Sequence, residues 1–215
     1  MIRRTTLPHL WLLLHGRASV GAVAIGISVI FAGCEQQQPP LKELSAKMSD
    51  SDANDRYDAI KAIEARIENG EAGVETAVPH LQAALGDADK RLRYRAAKAL
   101  SKLEASAAPA VAELAQVLRD EDEDTRYYAA KTLYKIGRPS AAALDELTAA
   151  LSDKNEKVRY YAAKALGKIG PAAASSRAAL EQLKSDRDKD VSEAATKALE
   201  RIIEAATEQS PESDK

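Results

Sequence analysis

The sequence predicts an all-α fold, an α-α superhelix built from about five stacked helical hairpins. Three observations predict it: a motif that returns every 33 residues, apolar residues spaced by three and four inside each copy, and glycine or proline where the copies stop. No stretch alternates apolar and polar residues between turn signals, so strands are not expected.

The clearest copies are residues 124–136 and 157–169, Asp-Thr-Arg-Tyr-Tyr-Ala-Ala-Lys-Thr-Leu-Tyr-Lys-Ile and Lys-Val-Arg-Tyr-Tyr-Ala-Ala-Lys-Ala-Leu-Gly-Lys-Ile, identical at nine of thirteen positions. Residues 91–103 and 190–202 continue the series in 33-residue steps, and a fifth copy, 56–63, stands 37 residues ahead, its four extra residues falling near Asn69-Gly70. Val158, Ala162, Ala165, Leu166 and Ile169 share one helix face. A second apolar segment precedes each copy, at 41–48, 78–85, 111–118, 144–151 and 178–183. Gly70, Gly137 and Gly170 stand where a left-handed cap is wanted, and Pro139 and Pro171 stop continuation. Each unit therefore reads helix A, turn, helix B, turn. One such pair cannot bury its apolar face alone, whereas stacked pairs share a continuous core, and the repeated alanines let helices approach to roughly 8 Å. The repeat domain is expected over 41–206, with 207–215 a disordered polar tail.

Composition narrows the chemistry. The 31 basic and 33 acidic residues with 45% apolar content suit a single globular domain. One cysteine, Cys34, excludes a disulfide framework and any Cys-based zinc site. The histidines are His9, His15 and His80. No Gly-rich phosphate loop, Ser-His-Asp set, metal-ligand cluster or nucleophile motif appears, so neither enzymatic activity, a cofactor nor a metal is expected.

Residues 1–33 contain no Asp or Glu, carry Arg3, Arg4 and Arg17, and run without charge from 18 to 33, the profile of a signal peptide. That run of about 16 residues falls short of the roughly 20 needed to cross a bilayer, and an uncleaved anchor helix is the alternative. Phe31-Ala32-Gly33-Cys34 resembles the bacterial lipobox. The resemblance implies cleavage before Cys34, acylation of its thiol, and export to the cell envelope, with 1–33 a signal peptide and 34–40 a lipid-attached tether ending in Pro39-Pro40. Without the first 33 residues the chain carries 28 basic and 33 acidic residues, a net charge of −5, and nucleic acid is not an expected partner.

An Asp, five residues, an Arg, then Ala-Ala-x-Ala-Leu-x-x-Ile-Gly runs through the copies as Asp50 with Arg56, Asp87 with Arg93, Asp120 with Arg126 and Asp153 with Arg159. Over about 165 residues this resembles the HEAT repeat, in particular the short HEAT-like repeat first named for phycobilisome lyases. The resemblance implies that the Asp/Arg pairs form a ladder linking turn to helix and repeat to repeat, and that the B helices line a concave face. The fifth unit departs, with Asp186 but Ser192, as a terminal cap would.

Tyr57, Tyr94, Tyr127 and Tyr160 recur at one position of helix B, each with a lysine one turn later: Lys61, Lys98, Lys131 and Lys164. Lys102, Lys135 and Lys168 add a second cationic band, continued by Lys197 and Arg201 in the fifth unit. A solvated face whose lysine stems cover alanine is the plain reading. Tyrosine, however, is enriched at interfaces, so the columns also read as a partner-binding face for an acidic protein surface. Two alternatives use the same residues or the same resemblance: binding of an anionic polymer, nucleic acid or envelope polysaccharide, and a lyase or lyase subunit. Tyr128 and Tyr161 are expected to pack inward, Tyr134 has no counterpart, and 120–124 reads as a solvated turn.

Overall fold

The computed structural model describes residues 39–208. Ten α-helices follow one another there: α1 (Leu41–Lys47), α2 (Ala53–Glu68), α3 (Val78–Ala84), α4 (Lys90–Leu103), α5 (Val111–Val117), α6 (Glu123–Ile136), α7 (Leu144–Ala150), α8 (Glu156–Ile169), α9 (Arg177–Leu183) and α10 (Lys189–Glu208). No strand occurs among the described residues. The odd-numbered helices are the A helices and the even-numbered ones the B helices, and α2, α4, α6, α8 and α10 pack side by side in that order. The expected signal peptide, Cys34, most of the tether and residues 209–215 lie outside the described residues. Helix α10 runs to Glu208, two residues past the boundary expected at 206.

Each B helix starts where the sequence supplies an N-cap. The side chains of Asp52, Asp89, Asp122, Asn155 and Asp188 accept from the backbone N–H of Asn54, Arg91, Thr125, Lys157 and Val191 at 2.7–3.0 Å, satisfying donors that the first helical turn leaves orphaned. The aspartate two residues earlier (Asp50, Asp87, Asp120, Asp153 or Asp186) in turn accepts from the cap residue's own N–H at 2.8–2.9 Å.

The expected plain turn from helix B to the next helix A is instead a 3-10 run, at Val74–Ala77, Glu104–Ala110, Arg138–Ala143 and Gly170–Ser176, leading directly into a seven-residue α-helix. Pro139 and Pro171 sit in the first turns of their runs and Pro79 in the first turn of α3, where a missing N–H costs little, while Pro109 lies inside its 3-10 run. Gly70 closes α2 with φ +68°, Gly70 and Glu71 donating back to the carbonyls of Ile67 and Arg66. Gly137 and Gly170 also take positive φ, but with ψ of −132° and −138°, so they are not the left-handed helical caps expected from sequence. The same turn in the second unit is made by Glu104, at φ +51° and ψ −122°, a conformation that strains a side chain.

The core is a column of leucines from the A helices, Leu81, Leu114, Leu147 and Leu180, each fully buried. It packs on Leu100, Leu133 and Leu166 of the B helices, with buried pairs such as Ala96-Ala97, Ala129-Ala130 and Ala162-Ala163 keeping the helices close. At Gly167 the approach is closest to the limit: an added Cβ would lie 2.8 Å from Ala198 Cα, so α10 occupies the space a side chain there would need.

Candidate functional site

The arginines of the repeated motif bind two successive turns. Arg126 Nη1 donates to the carbonyl oxygens of Asp120 and Glu121 in its own turn, at 2.8 and 3.2 Å, while Nε and Nη2 form a fork on the carboxylate of Asp153 in the next, at 2.7 and 3.1 Å. Arg56, Arg93 and Arg159 repeat this geometry toward Asp87, Asp120 and Asp186. The carboxylate partner of each arginine is therefore the aspartate of the following unit; within a unit, Asp and Arg meet through the aspartate's backbone carbonyl. Asp50 has no arginine on its carboxylate among the described residues, and Asp186 closes the ladder although its own unit carries Ser192, whose hydroxyl donates to the Lys184 carbonyl at 2.6 Å. Asp120 thus belongs to the ladder and is half-buried, not simply part of a solvated turn. Burial pushes its pKa up, but the fork from Arg93 and the N–H of Asp122 outweigh this and hold it below the usual range.

The B-helix face is organised by slots between successive helices. One register position of the earlier helix carries Glu64, Ser101, Tyr134 or Gly167, and three positions of the following helix stand opposite it: Arg95, Lys98 and Lys102; then Tyr128, Lys131 and Lys135; then Tyr161, Lys164 and Lys168; then Ala194, Lys197 and Arg201. In the first slot Glu64, only 3% exposed, receives Arg95, Lys98 and Lys102, each at 2.7 Å, and Lys102 also meets Glu68. Burial alone would raise the Glu64 pKa; bonds from Lys102, Lys98 and Arg95 reverse that and bring it down to about 2. In the third slot Tyr134 stands in the carboxylate's place, with Lys164 Nζ 4.4 Å and Lys168 Nζ 5.0 Å from its ring centre and the Tyr161 ring at 5.8 Å.

The tyrosines form a connected chain. Tyr94 meets Tyr128 at 5.6 Å, Tyr128 meets Tyr127 at 4.8 Å, Tyr127 meets Tyr161 at 5.6 Å, and Tyr161 meets Tyr160 at 5.1 Å, mostly edge to face. Tyr128 and Tyr161, expected to pack inward, are half-buried, as are Tyr94, Tyr127 and Tyr160, which they link from one repeat to the next. Burial and the neighbouring tyrosines push the Tyr128 pKa up to about 12. Lys131 bonds the Tyr127 hydroxyl at 3.3 Å and lies over the Tyr127 and Tyr128 rings; Lys164 bonds the Tyr160 hydroxyl at 3.2 Å and lies over Tyr134, Tyr160 and Tyr161. Tyr57 stands apart from this chain: Arg91 and Arg95 cover its ring and Arg95 donates to its hydroxyl.

The second cationic band is used internally. Lys102 serves Glu64 and Glu68, Lys135 pairs with Glu104 at 3.1 Å, and Lys168 donates to the Lys135 carbonyl at 3.4 Å, its stem lying across Gly137. Lys98 belongs to Glu64 as well, and Lys61 is exposed. Of the candidate residues, Lys131, Lys164 and Lys168 are the cations set on aromatic rings with no carboxylate within 4 Å among the described residues, and of these Lys131 and Lys164 also bond a tyrosine hydroxyl. Sequence reasoning missed Glu64, Tyr134 and Asp186. The signal for Glu64 was a lone acid at the register where the other units carry Ser, Tyr and Gly.

The HEAT-repeat family matches residues 41–116 and 111–200. Comparison with curated proteins yields no match. Among solved structures the chain is similar to an engineered protein (22% identity, TM-score 0.67, covering 76% of this chain and 79% of that one). It is also similar to a designed armadillo repeat protein in complex with the peptide (KR)4 (22%, 0.62, 75% and 81%). A third likeness is to the complex of CpcE and CpcF of phycocyanin lyase from Nostoc sp. PCC7120 (24%, 0.60, 83% and 70%). At these identities the likeness is one of fold. With the family's repeats matched from α1 into α10, and the helices stacked in repeat order, the chain belongs to the HEAT-repeat proteins.

Proposed function

We propose that this chain is a membrane-anchored HEAT-like lipoprotein, a non-enzymatic scaffold at the cell envelope that holds an acidic protein partner on the face of its B helices. The observation that carries this reading is the setting of Lys131 and Lys164. Each ammonium rests on tyrosine rings and a phenol hydroxyl, so a carboxylate arriving from a partner gains a charge pair without displacing an internal one. Six tyrosines around them supply rigid contact area at small entropic cost. The solved complex of a designed armadillo repeat protein with (KR)4 supports the capacity of a similar stack to take a peptide; there the peptide is basic, whereas the cations here call for an acidic one. The anionic-polymer reading loses support from Glu64, which neutralises the cations of the first slot and interrupts a continuous basic track. The anchor rests on Cys34 and the uncharged run before it.

Two experiments test the reading. Capture from envelope extract by the full chain should fall at least ten-fold with Lys131→Glu and Lys164→Glu combined, and the captured protein should stop binding when its acidic segment is neutralised. Unchanged recovery rejects the face. A tagged fatty acid fed to the native host should label the full chain but not Cys34→Ser; equal labelling of both rejects the anchor.

A further inference from the structure

The slots along the B-helix face share one register pattern but carry four different residues, and the last of these, a glycine, has no side chain. In the first slot the chain supplies its own ligand: the Glu64 carboxylate, held by three cations. At the same register α8 carries Gly167. Because a Cβ there would lie 2.8 Å from the Ala198 backbone, no residue of α8 can take the role of Glu64. What remains is a cleft of about 350 Å³, lined by Gly167 and Tyr134 and by Lys164, Lys197 and Arg201. Lys197 and Arg201 occupy the register of Lys98 and Lys102, and Lys164, reaching in from α8, supplies the third cation in place of Arg95.

We infer that this cleft receives a side-chain carboxylate, Asp or Glu, from the acidic partner, in the manner in which the first slot receives Glu64. The inference rests on the reading of the B-helix face as a partner site and adds the chemistry of one contact within it. Asp190 and Glu193 line the other end of the cleft, beside Tyr160. Glu193 stands 3.6 Å from both Lys189 and Lys197, in exposed pairs with loose geometry. A carboxylate seated between Lys197, Arg201 and Lys164 gains three cations where Glu193 offers Lys197 one distant partner. The acids at the far end exclude a ligand carrying a second carboxylate close behind the first. The fitting segment therefore presents an isolated acidic residue at this point.

The test uses the full chain, isotopically labelled, and the peptide N-acetyl-Ala-Glu-Ala-amide, with its Gln counterpart as control. The Glu peptide is expected to shift the amide signals of Gly167 and Ala198 saturably, the Gln peptide to leave them in place, and Lys197→Gln with Arg201→Gln to weaken the effect at least ten-fold. Glu64→Ala, which empties the first slot, should add a second saturable site reported at Ala99, the counterpart of Ala198 in α4. The unmodified chain decides: no shift at Gly167, or the same shift with both peptides, overturns the inference. If Gly167 stays silent while partner capture still depends on Lys131, the slot is wrong and the scaffold reading stands. If Gly167 responds while capture ignores Lys131 and Lys164, the slot stands and the scaffold reading falls.

Discussion

The seam between α2 and α4 and the seam between α6 and α8 present lysines at the same registers, Lys98 and Lys102 in one, Lys164 and Lys168 in the other. In the first, a buried carboxylate takes both lysines together with Arg95. In the second, a tyrosine ring stands where the carboxylate was, and Lys164 keeps its charge on an aromatic surface. A periodic sequence thus does not give a uniform face. One non-periodic residue per seam, Glu64 or Tyr134, decides whether the lysines are taken by a carboxylate or rest on an aromatic ring.

The ladder beneath both seams sets the scale for breaking them. Arg126→Ala leaves the Asp153 carboxylate and two turn carbonyls without their buried partner and is expected to cost about 3–5 kcal/mol in urea unfolding. A loss under about 1 kcal/mol would mean the ladder is ornamental. Glu64→Gln keeps the shape of the first seam and leaves Arg95 and Lys98 without their carboxylate, Lys102 retaining Glu68, at an expected cost of about 2–3 kcal/mol, the lysines being partly solvated. Tyr134→Leu in the other seam removes cation–π contacts and should cost about 1 kcal/mol. Equal losses for these two would erase the contrast between the seams.

pH separates the seams further. Glu64 titrates near 2 in the folded chain against an ordinary 4.5, so its contribution is fully present above about 4.5 and is lost as pH falls toward 2. Tyr128 moves the other way. Held protonated up to about 12 against an ordinary 10, it contributes below pH 10 and that contribution is lost between 10 and 12. Acid unfolding of Glu64→Gln should accordingly be less steep than that of the parent, and Tyr128→Phe should flatten the alkaline limb. The smallest expected effect is a gain: Glu104→Gly relieves the positive φ at the end of α4 and should stabilise by about 1 kcal/mol, less what the exposed pair with Lys135 contributes.

Much of the architecture was legible because helical periodicity is a local property. The apolar spacing of Val158, Ala162, Leu166 and Ile169 placed α8 within a residue of its observed ends, and the resemblance carried by the Asp/Arg motif implied the ladder. The 3-10 entry into each A helix was not legible: its alanine-rich stretches suit either helix type, and the geometry is chosen by docking on the helix B behind. Tyr134 was set aside because it lacked a counterpart, although that lack is what distinguishes its seam.

The sequence by itself determined the repeat, the helix pairs and their order, since each is a relation among neighbours along one chain. Only the tertiary structure decided that Arg56 reaches Asp87 and that Glu64 meets Lys98 and Lys102. It likewise decided that Lys164 lies on Tyr134 and that Gly167 leaves a cleft. Those relations cross from one helix to the next, and the register of two packed helices is set by how their alanines and leucines interlock, a distance no spacing within either helix contains.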